Sequence, residues 1–140
     1  MGITIKAKNA KHTFDMGYGG FFNLRKNIAL ALDEEFGKQY SKLINCFNDK
    51  TYIKNVIISE CIIKEKHLGK NYGDVLEFLY MSDVEGKIDY RTCRKILELL
   101  EKRISKLKRK TFTYVGYEDY ERFIEFLKDC VRYHKNMRWS

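Results

Sequence analysis

The residues best suited to chemistry lie in Gly17-Tyr18-Gly19-Gly20-Phe21-Phe22-Asn23-Leu24-Arg25-Lys26, where glycines, aromatics and two bases meet at what reads as a helix entry. Free N–H groups at a helix start, together with the helix dipole, favour an anion. Gly17, Tyr18, Gly19, Gly20, Phe21, Asn23, Arg25 and Lys26 therefore make a candidate anion or nucleotide site. Three glycines in four positions imply left-handed backbone or close backbone approach, so Asp15 to Phe22 reads as a shaped loop. The spacing matches neither a P-loop nor a dinucleotide fingerprint with a strand before it and an acid after it. Tyr18, Phe21 and Phe22 either stack on a base or plug the core.

A second candidate is the basic run from Lys102 to Lys110, in which Lys102, Arg103, Lys106, Lys108, Arg109 and Lys110 put six bases in nine positions without an acid. A solvated helix end complementing its own dipole accounts for part of this. Tyr114, Tyr117 and Tyr120 follow closely, and aromatics beside phosphate-binding cations suit single-stranded nucleic acid.

Catalytic groups are sparse. His12, His67 and His134 are far apart, and Cys130 stands one helical turn before His134. Two ligands do not make a zinc site, so Cys130 reads as core and His134 as rim. Glu34-Glu35 and Glu118-Asp119 read as surface charge at helix turns. Cys46, Cys61, Cys93 and Cys130 show no CxxC spacing and read as small buried apolar residues. No catalytic residue, metal or cofactor is assigned, and the expectation is a protein that is not an enzyme.

The elements that must position these groups follow from periodicity. Ile3, Ile5, His12 and Phe14 suggest a β-hairpin turning near Lys8 to Lys11. Leu24, Ile28, Leu32 and Phe36 recur every four residues, with Asn23 as N-cap and Gly37 as C′. Further helices are expected over Lys38 to Phe47, Asp74 to Tyr80, Asp89 to Lys106 and Glu118 to His134. Thr51 to His67, with Asn48 or Asp49 as cap and Gly69 closing it, is read as helix although its β-branched density also suits a strand. Thr111 to Val115 reads as a strand.

Met81 to Thr92 resembles an EF-hand loop, with Asp83 and Glu85 at positions 3 and 5, Gly86 at the turn and Ile88 at position 8. Met81 and Thr92 replace the first carboxylate and the bidentate glutamate, so a corner without metal is expected between 74 and 106. The expected fold is mainly α (α+β), one domain over 1–140, with an N-terminal hairpin and this helix-loop-helix corner.

The chain has 140 residues, a net charge of +8 and 44% hydrophobic residues, which excludes wholesale disorder. No apolar run approaches the roughly 18 residues of a membrane span, and the start carries no secretory h-region. A cytoplasmic protein without membrane contact is expected. The Asp15 to Arg25 segment, with Phe78 to Cys93 and the closing Met137-Arg138-Trp139-Ser140, resembles small proteins of phages and mobile elements in low-GC Gram-positive bacteria. That resemblance implies an accessory protein that regulates genes or inhibits host defence. The functional expectation is binding of an anionic partner: nucleic acid, a nucleotide signal or a host defence complex. The rival is a structural adaptor or homodimer in which Trp139 docks on the core or on another chain.

Overall fold

A computed structural model describes residues 2–7, 14–45, 50–82, 84–107 and 117–140, with only the backbone at 14, 18, 19, 44, 45, 107 and 117–120. The turn at 8–11, the caps at Asn48 and Asp49 and the strand expected at 111–115 lie outside the described residues.

The described residues are mainly helical, with an N-terminal antiparallel strand pair as expected. The strands are β1 (Gly2–Ala7), β2 (Phe14–Gly17), β3 (Gly86–Ile88) and β4 (Met137–Trp139), in the antiparallel order β2-β1-β4-β3. Along β1 the side chains alternate, Ile3 and Ile5 inward and Lys6 outward, as strand geometry requires. The short β3 and β4 were not foreseen. β4 lies inside the sheet between β1 and β3, and beyond it Ser140 exchanges backbone hydrogen bonds with Thr4 at 2.9 and 3.1 Å.

The helices are α1 (Tyr18–Leu32), α2 (Glu34–Asn45), α3 (Tyr52–Glu65), α4 (Gly69–Tyr80), α5 (Tyr90–Leu107) and α6 (Tyr117–Arg132). α1 begins directly after β2, so the expected glycine loop is the end of a strand running into a helix. Gly17 caps it in an extended conformation, φ −65°, and Asn23 lies inside the helix instead of capping it. Asp33 joins α1 to α2: its N–H donates to Ala29 O at 3.0 Å, and its carboxylate accepts from the Phe36 N–H at 2.9 Å. Gly37, expected as a C′ residue, is buried inside α2, where an added Cβ would run into the Leu30 backbone. Packing thus explains this glycine better than capping does.

The segment after residue 51 is helical. His67 follows it at φ 53°, while Gly69, expected to close it, starts α4. α4 breaks at Tyr72 (φ −125°, ψ 22°), just before Asp74, the start that the sequence suggests.

One apolar core joins these layers. The inner sheet face supplies Ile3, Ile5, Met16, Ile88, Met137 and Trp139, and the helices add Phe21, Leu24, Phe78, Ile96, Phe123 and Leu127. Trp139 is 1% exposed, and its burial is worth about 4–6 kcal/mol by area.

Candidate functional site

At the helix entry the arginine turns inward. Arg25 is 4% exposed. Its guanidinium carbon lies 4.3, 5.0 and 5.8 Å from the ring centres of Phe21, Phe78 and Trp139. Its Nη1 donates to Met81 O at 2.8 Å and its Nη2 to Ser82 O at 3.2 Å. Those carbonyls stand at the C-terminal end of α4, where orphan acceptors and the helix dipole favour a cation. Aromatic faces add cation–π attraction inside the core. The expectation that Arg25 contacts an external anion is therefore corrected: its charge is spent on the fold.

Phe21 is fully buried, so it plugs the core. Phe22, Asn23 and Lys26 are half-buried on α1, and Gly20 is exposed. The side-chain positions of Tyr18 and Gly19 lie outside the described residues. Gly17 borders an open depression of about 410 Å³ shared with Gly2, Ile3, Thr4, Asp15 and Met16. The ionisable group there is the Asp15 carboxylate, which repels an anion.

The basic run is partly neutralised. Arg103 and Lys106 both reach Glu34 at the start of α2, at 3.5 and 3.4 Å. The hydrogen bond and charge of Lys106 hold the Glu34 carboxyl below its usual range. Lys102 is exposed, while Lys108, Arg109 and Lys110 lie outside the described residues.

Register assembles a different basic group. In the pairing of β1, β4 and β3, Lys6 stands opposite Arg138 and Arg138 opposite Lys87. All three are exposed on the outer sheet face. Directly opposed residues on neighbouring strands sit about 5 Å apart at Cβ, so three positive charges form one row across three strands. None of the three enters an ion pair with another described residue. Like charges directly opposite each other destabilise a sheet, a cost that a negative partner relieves. The neighbouring row holds Thr4, whose hydroxyl donates to Asp15 at 2.7 Å.

Sequence reading missed the row because its members are 81 and 51 residues apart (87 − 6 and 138 − 87), on strands of which two have three residues. The alternation Ile3-Thr4-Ile5-Lys6 was the available signal, and it oriented Lys6 alone.

Elsewhere, Cys130 meets Cys93 on α5. His134 takes φ 53° after α6 and stacks on Tyr90 at 4.7 Å. Among the described residues, no three of His, Cys, Asp and Glu converge to hold a metal. No helix among them is long and apolar enough to cross a membrane. No protein-family model, curated protein or solved structure matches the chain.

Proposed function

We propose that the chain is a cytoplasmic, non-enzymatic accessory protein that binds a polyanion, nucleic acid first, through the outer face of its sheet. The row Lys6–Arg138–Lys87 carries this reading, against a background net charge of +8. The described outward side chains beside it, Thr4 and Asp15, include no aromatic platform. The chemistry is thus backbone charge neutralisation, which gives affinity without sequence readout. The basic residues at the end of α5, of which Arg103 and Lys106 also reach Glu34, extend the same reading. Along α5, Lys106 lies about 24 Å beyond Tyr90, a distance that a long strand spans and a mononucleotide does not. The resemblance to phage and mobile-element proteins supports an accessory role, with inhibition of a host nucleic-acid-binding defence complex as its physiological form.

Anisotropy of a labelled single strand of about twenty nucleotides, titrated between about 50 and 200 mM salt, tests the proposal. Three phosphate contacts give a log–log salt slope of about −2 for a single strand. The combined Lys6→Gln, Lys87→Gln, Arg138→Gln variant is expected to lose that slope and most of the affinity. Unchanged binding in this variant, or no binding by the parent protein at the lowest salt, overturns the proposal.

A further inference from the structure

We infer, resting on the polyanion reading, that the strand taken by the outer sheet face is RNA and not DNA, selected by a hydrogen bond from a ribose 2′-hydroxyl to the Asp15 carboxylate beside the cationic row.

Three rows of different character follow one another on the outer face of β1. Lys6 belongs to the cationic row, Thr4 stands two residues before it with Asp15 opposite, and Gly2 stands two residues before that with Gly17 opposite. The glycine row carries no side chains, and the open depression of about 410 Å³ that spreads over it has Thr4 and Asp15 on its wall. A Cβ added at Gly17 would meet nothing, so the space above it is open. The depression is large enough for a nucleoside, and glycine in a strand lets a ligand approach the backbone closely.

The middle row supplies the selection. The Thr4 hydroxyl donates to Asp15 Oδ1 at 2.7 Å, which orients the carboxylate and leaves its Oδ2 without a donor among the described residues. Asp15 is exposed and forms no ion pair with another described residue, although Lys6 lies diagonal to it across β1 and β2. An unpaired carboxylate beside three cations is a cost to any bound polyanion. A sugar hydroxyl donating to Oδ2 offsets that cost, because a hydrogen bond to a charged acceptor is stronger than a neutral one. Ribose carries that donor and deoxyribose does not, and the 2′-hydroxyl is what distinguishes RNA from DNA at a protein surface. Carboxylates hold ribose hydroxyls in the same way at dinucleotide sites. Thr4 and Lys6 are about 6.8 Å apart along the strand, so a phosphate over Lys6 and a sugar over Asp15 belong to one nucleotide.

Anisotropy of the full chain with a labelled oligouridylate of about twenty nucleotides, its 2′-deoxy counterpart and its 2′-O-methyl counterpart, over the same range of salt, tests this. The ribo strand is expected to bind about tenfold tighter than either of the others, which lack the 2′ donor. Asp15→Ala should weaken the ribo strand and strengthen the deoxy strand until the two coincide, with the salt slope still set by the cationic row. Thr4→Val keeps a β-branched residue in the strand and removes the hydroxyl that orients the carboxylate, so it should reduce the preference to about threefold. A carboxylate acting through charge alone would make Asp15→Ala strengthen all three strands equally, and that result overturns the inference. Equal binding of the three strands by the parent protein, with its salt slope intact, overturns it too and leaves the polyanion reading standing. Absence of binding to every strand at the lowest salt overturns both.

Discussion

Arg25 and Trp139 donate to the same oxygen, the carbonyl of Ser82, at 3.2 and 3.0 Å. The three residues come from α1, from β4 and from the turn after α4, so this one acceptor ties together the two ends of the chain and its middle. Phe21 and Phe78 complete the box around the guanidinium, and Trp139 meets Phe78 edge-on with centroids 5.4 Å apart. A buried charge is costly unless its hydrogen bonds are made. Here aligned carbonyls at a helix end and three aromatic faces offset that cost.

Removing the charge therefore takes a donor from Met81 O and leaves Ser82 O with Trp139 alone. Arg25→Met keeps much of the volume but removes the guanidinium from Met81 O and from the carbonyl it shares with Trp139. Urea denaturation should show a loss of about 2–4 kcal/mol. Arg25→Lys should recover little, because an ammonium lacks the planar fork that reaches two carbonyls. Equal stability of Arg25→Met and the parent would show that the box is held by its apolar faces alone.

Gly86 stands opposite Trp139 in the β3–β4 register, and a Cβ there would run into the indole ring. Gly86→Ala should cost about 1–3 kcal/mol through overpacking, although alanine otherwise suits a strand no worse than glycine. In a Trp139→Leu background the same substitution should cost close to nothing. That coupling, measured as a double-mutant cycle, separates a clash with the indole from a backbone effect.

These two residues also show how far the sequence could be read. Gly86 was legible as a turn residue from Asp83-Val84-Glu85-Gly86, yet its reason for being glycine is a tryptophan 53 positions later (139 − 86). Helix periodicity survived contact with the structure wherever one face was apolar, as in α5 and α6, because local spacing carries that information. The anion-site reading of Arg25 did not survive. An arginine in a first turn looks solvent-facing from sequence, and only the arrival of Phe78 and Trp139 makes a cage for it. The basic row was illegible for the same reason, since strand register is a tertiary property.

Asp74 links α4 to α5 by accepting from the Thr92 hydroxyl at 2.8 Å and the Lys95 ammonium at 3.1 Å. Burial on its own would push the Asp74 carboxyl up; the hydrogen bonds from Thr92 and Lys95 outweigh it and hold the group below its usual value. A depressed carboxylate stabilises the fold above its unfolded pKa of about 3.9, and that stabilisation is lost as pH falls through the lower folded value. Asp74→Asn should thus be less stable than the parent at pH 7 by about 1 kcal/mol. The gap should close below about pH 4 in denaturation curves taken across that range. A gap that stays constant down to pH 2 would assign the loss to geometry and not to charge.

The described cysteines should differ sharply in reactivity. Cys61 is exposed on α3, whereas Cys93 and Cys130 are buried where α5 packs on α6. The hydrogen bond to Cys130 and burial together push the Cys93 thiol up, which keeps it protonated near neutral pH. Thiolate is the reactive form, so both charge state and access protect this position. In dilute native protein, maleimide should modify Cys61 first. Cys93 and Cys130 should follow about a thousandfold more slowly, at a rate set by unfolding. Mass mapping at timed intervals reads this directly. Early labelling of Cys93 or Cys130 would mean that α6 lifts from α5 in a local opening far cheaper than global unfolding, and a helix held that loosely could not keep the following β4 strand, with Trp139, seated between β1 and β3.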